Sequence, residues 1–94
     1  MEHYLNNKEI KDFISKKYKS VKIESLDNDF NFGYNTLKIK VNECKTDFRN
    51  VLTAIFNKYP TIIWIEVGEG NAYTRNSLKN AGFNIKTELK LCED

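Results

Sequence analysis

The sequence holds one histidine and two cysteines, and that scarcity excludes a four-ligand zinc site. His3 stands alone near the start, while Cys44 and Cys92 are too far apart to make a CxxC pair. The two thiols read as small apolar residues in a reducing compartment rather than as a disulfide. Charge of one sign is missing as well. Fifteen basic residues against 13 acidic ones leave a net +2, which supplies no strong field for phosphates or anionic lipid and argues against a nucleic-acid partner. No window nears the ~18 apolar residues of a membrane span, and MEHYLNNKEI has no basic stretch leading into an apolar run. A cytoplasmic protein without a membrane segment is expected. No repeat, linker or low-complexity tract interrupts the chain, so residues 1–94 are expected to form a single domain.

What is present suffices for one modest core, with 40% hydrophobic residues of which many are aromatic. Residues 5–18, LNNKEIKDFISKKY, place Ile10, Phe13, Ile14 and Tyr18 at helical spacing, with Lys8, Lys11, Lys16 and Lys17 on the other face. Asn6 and Glu9 have the spacing of a capping box, and Leu5 with Ile10 that of a hydrophobic staple. Residues 21–26 and 36–41 alternate as strands do. DNDFNFGYN between them reads as a hairpin connection in which Phe30, Phe32 and Tyr34 extend one strand. Its acidic start lacks the glycine and glutamate of a calcium loop, where Phe32 and Lys38 stand instead.

Residues 46–59 carry Phe48, Val51, Leu52, Ile55, Phe56 and Tyr59 on one stripe, predicting a helix capped by Thr46, with Asp47 suiting its positive end and Pro60 stopping it. TIIWIEV, residues 61–67, is apolar on both faces apart from Glu66, as a strand covered on both sides should be. Asn71 is expected to cap a helix over 72–81, Gly82 to end it in a left-handed conformation, and residues 84–91 to form a last strand. The order α-β-β-α-β-α-β predicts an α/β fold of the α+β kind: a mixed, mostly antiparallel sheet with helices on both faces.

A strand ending Ile65-Glu66-Val67, then Asn71, a small residue at Thr74, and Gly82-Phe83 eleven and twelve positions after the asparagine make a pattern over residues 61–84. It resembles the second half of the GNAT superfamily of N-acetyltransferases, with the first strand of the usual fold missing. The resemblance implies acetyl-CoA lying where the strands at 36–41 and 61–67 splay apart, contacted by Val41, Lys45, Thr46 and Asn71, and an amine as acetyl acceptor. In that family a glycine-containing loop opening the central helix holds the pyrophosphate. Here the loop is Asn42-Glu43-Cys44-Lys45-Thr46-Asp47, without glycine. The tyrosine that serves such enzymes as general acid is replaced by Leu78, and Tyr73 lies earlier on the same predicted helix.

Glu66 is a general-base candidate if it faces the gap, and otherwise a strand-end carboxylate pointing to water or to a lysine. Cys44 reads as a structural cysteine, or as an activated thiol at a helix start. Two functions follow: a small N-acetyltransferase acting on an amine, or a non-catalytic binding or regulatory module that keeps the acetyltransferase scaffold. The missing first strand leaves an edge on which a homodimer is expected to pair.

Overall fold

Asn6 opens the first helix as its spacing predicts, its side chain accepting from the Glu9 backbone N–H at 3.1 Å, and α1 runs Asn7–Lys17. Ile10 and Ile14 are fully buried, while Leu5 and Phe13 pack against the same core. These positions come from a computed structural model that describes residues 5–92, so His3 lies outside the described residues.

Both hairpin strands are longer than their alternation predicts, β1 spanning Val21–Asn31 and β2 Tyr34–Cys44, because the chain reverses in two residues. Phe32 (φ 54°) and Gly33 (φ 88°) are both left-handed, as a two-residue type I′ hairpin demands. Glycine adopts this conformation at position 33 without steric cost, and a Cβ there would in addition make the exposed Leu91 side chain shift. Phe32 is 96% exposed, so no burial within the chain offsets its strain. Left-handed geometry costs a side-chain-bearing residue roughly 1–2 kcal/mol, less for asparagine. Phe32→Asn is therefore expected to stabilise the fold by about 1 kcal/mol, read as a higher urea midpoint; a lower midpoint contradicts this.

The remaining elements are α2 (Phe48–Lys58), β3 (Ile62–Val67), β4 (Asn71–Tyr73) and α3 (Arg75–Asn80). The sheet runs β1-β2-β3-β4, with the outer pairs antiparallel and β2 parallel to β3. It is the mixed, mostly antiparallel sheet of an α+β fold. At the free edge, β1 carries register shifts near Ile23 and exposed Asp27 and Asp29, features that resist strand addition.

Four expectations need correction. The cap of α2 is Asp47, not Thr46: the Asp47 carboxylate accepts from the Arg49 N–H at 3.0 Å, while the Thr46 carbonyl takes the Cys44 thiol at 2.9 Å. Asn71 does not cap a helix. Gly68 and Gly70, both left-handed, turn the chain back so that Asn71 pairs with Val67 in β4. The helix waits for Thr74, which forms a reciprocal capping box with Ser77. Its other end is as expected, with Gly82 left-handed and N–H groups of Gly82 and Phe83 on the Lys79 and Leu78 carbonyls, a Schellman ending.

Residues 84–91 form no strand. Their polar groups are spent one at a time on the end of α2 and on turns: Lys86 N–H on Asn57, Thr87 hydroxyl on the Phe56 carbonyl, Lys90 N–H on Pro60. Only Ile85 of this segment is buried in the core.

The helices also do not flank the sheet. Leu26, Leu37, Ile39 and Ile65 join residues of all three helices in one cluster. A register shift between Asn35 and Thr36 explains how a doubly apolar strand can be one-sided: Asn35 faces Ile62 but Thr36 faces Trp64, so Ile62 and Ile65 both reach the core. Trp64 and Glu66 turn to the opposite face. Among the described residues no helix is long and apolar enough to cross a membrane.

Candidate binding surface

The uncovered face is built in rows across the strands, because paired residues of neighbouring strands point the same way. One row is Asp29, Thr36 and Trp64, and the next is Asp27, Lys38 and Glu66. Threonine between an aspartate and a tryptophan leaves a hollow, and the two rows line a groove of about 550 Å³. All of its walls come from one sheet, so it is shallow. Trp64 is 43% exposed there. Lys38 reaches Glu66 at 3.6 Å and Lys40 reaches Glu24 at 3.3 Å, whereas Asp27 and Asp29 have no ion-pair partner among the described residues.

The residues singled out in the sequence are not brought together. Glu66 faces the open side and is held by Lys38, which is the strand-end reading of that carboxylate. Val41 packs against the core on the opposite side. Asn71 is exposed on β4, and Lys45 and Thr46 lie beyond the far end of β2, Lys45 paired with Glu43 at 3.6 Å. β2 continues from Ile39 to Cys44 for about 17 Å past the last residue it shares with β3. Up to that point the two strands stay paired from Asn35 and Ile62 through Ile39 and Val67, and the Gly68 N–H adds a bond to the Ile39 carbonyl at 2.9 Å. Leu78 is buried in the core, with Tyr73 packed against it.

The start of α2, where a pyrophosphate would sit, already holds an anion. Asp47 caps it and is clamped by Arg49, whose Nη2 donates at 2.7 Å. The side-chain bond to Arg49, then the backbone bond, hold the Asp47 carboxyl below the usual carboxylate range. Its contribution is complete above the ordinary value of ~4 and is lost as pH falls through the lowered one. In an NMR titration the Asp47 pKa is expected to rise in Arg49→Gln; an unchanged value contradicts the clamp.

Cys44 and Cys92 are not joined in a disulfide. Cys92 bonds to Gly33 at the turn end of the hairpin, and Cys44 ends β2. A strand of that length separates its ends by roughly 33 Å, far beyond disulfide reach. The acidic open face was missed because β3 reads as covered on both sides, and only a one-residue register shift reveals otherwise. Comparisons with family models, with curated proteins and with solved structures give no significant match.

Proposed function

We infer that the chain works as a non-catalytic binding module that keeps an acetyltransferase-like scaffold and presents the uncovered face of its sheet to a partner. The observation that carries this reading is Trp64, the chain's single tryptophan, standing half-exposed in the middle strands of a sheet whose helices all lie on the other side. An exposed aromatic with a polar surround is the usual anchor of an interface. Support comes also from the continuous β2–β3 pairing and from the Asp47 cap of α2. The basic groups near that end are already engaged, Lys45 with Glu43 and Arg49 with Asp47, so neither is free to receive a pyrophosphate.

The competing proposal is a small N-acetyltransferase with acetyl-CoA held by Val41, Lys45, Thr46 and Asn71, and Glu66 as base toward an amine. Thermal unfolding with acetyl-CoA or CoA titrated to millimolar concentration separates the two. A bound cofactor at a hundredfold above its Kd stabilises by about 2.7 kcal/mol. For a domain of this size that is a rise in Tm on the order of 10–20 °C. No rise is expected; a saturating rise would overturn the binding-module reading.

A further inference from the structure

We propose that the partner of the open face is a protein segment rich in arginine, whose guanidinium groups stack on Trp64 and pair with Asp29 and Asp27. The inference rests on the binding-module reading and adds the chemistry of the ligand. Charge sets the choice. On this face Lys38 and Lys40 are matched by Glu66 and Glu24, so the two unpaired aspartates decide its sign, although the whole chain carries +2. A negative face repels phosphates and acidic peptides and attracts cations.

Geometry selects the kind of cation. The described residues hold no group of three or more His, Cys, Asp or Glu placed to bind a metal ion. Trp64 and Asp29 instead flank Thr36 in one row, two strand spacings apart, or ~9.5 Å between backbones. That is room for a planar cation lying on the indole with its edge toward the carboxylate. Arginine fits this better than lysine, because a guanidinium stacks on a ring and offers a fork of donors at once. A free small amine is disfavoured by the shallow groove: with one sheet as its only wall it cannot enclose a small ligand, whereas a peptide gains contact along the rows.

Emission of Trp64 titrated with a hexa-arginine peptide at low ionic strength tests this. A saturable change is expected, weakening as salt is added. Hexa-lysine is expected to bind about fivefold more weakly. The double variant D27N/D29N is expected to lose about tenfold in affinity with its melting temperature kept, since both side chains are exposed. D12N, an exposed acidic site on α1, is expected to change nothing. Absence of a response to hexa-arginine, or an equal loss in D12N and D27N/D29N, overturns the proposal. If the cofactor titration stays flat in that case, only the choice of an arginine-rich partner falls; a cofactor-dependent rise in Tm removes the reading beneath it.

Discussion

Arg75→Met is expected to destabilise the fold by about 3–5 kcal/mol, a large part of the ~5–15 kcal/mol a domain possesses. Arg75 is 8% exposed and lies beside no carboxylate among the described residues. Its guanidinium donates instead to three carbonyls: Ile62, Phe56 and Tyr59, the last two at 2.8 and 3.0 Å. Phe56 and Tyr59 belong to the last turn and cap of α2, where carbonyls have no partner within the helix and the dipole is negative. One side chain on α3 thus closes α2 and anchors the start of β3. Methionine fills the space but leaves the Ile62 carbonyl without this donor, Phe56 with only the Thr87 hydroxyl and Tyr59 with only the Ile62 N–H. The melting temperature, followed by far-UV circular dichroism, should drop by at least about 12 °C. Arg75→Lys is expected to recover little, because an ammonium lacks the fork that spans three acceptors. A drop of only a few degrees for Arg75→Met would contradict the structural role.

Phe56→Ala is expected to cost a comparable 3–5 kcal/mol, as a large aromatic removed from a packed interior leaves a cavity. Phe56 is wholly buried, and among the described residues no fully buried side chain is larger. Its ring also lies 5.0 Å beneath the Arg75 guanidinium, so it shields that charge as well as filling the core. The two substitutions therefore should not add. In urea unfolding the double variant is expected to lose less than the sum of the single losses, by about 0.5–3 kcal/mol. Strict additivity would show that Arg75 and Phe56 act separately.

The parts of the fold legible in the sequence are those set by periodicity or by a local cap. Helices α1 and α2 appear in the spacing of Ile10 and Ile14 and of Val51, Leu52, Ile55 and Phe56, and Gly82 marks the end of α3 by its need for a positive φ. What escaped depends on partners distant in sequence. Asn71 and Thr74 are both good caps, and only the pairing of Asn71 with Val67 decides between them. Ile85, Thr87, Leu89 and Leu91 alternate as a strand would, yet whether an extended segment joins a sheet depends on a free edge within reach. Here Asn57 and Pro60 claim its backbone groups first. Arg75 gave no sequence signal, since an arginine on a short helix ordinarily points to water.

The candidate surface was the least legible. Asp27 and Asp29 looked like turn residues, Lys38 like an exposed strand position, and Trp64 like core. Their adjacency exists only through the register of three strands. Cross-strand rows are tertiary facts, and in β3 one shifted residue decides which side each row faces.

The claim on which the functional reading stands, an uncovered and acidic sheet face around Trp64, is tested most directly by collisional quenching of the single tryptophan with caesium and with iodide at low ionic strength. Ready quenching is expected, with a caesium-to-iodide quenching ratio above that of free N-acetyltryptophanamide because Asp27 and Asp29 concentrate the cation near the ring. Emission that resists both quenchers, or a caesium-to-iodide quenching ratio no higher than that of free N-acetyltryptophanamide, would contradict it.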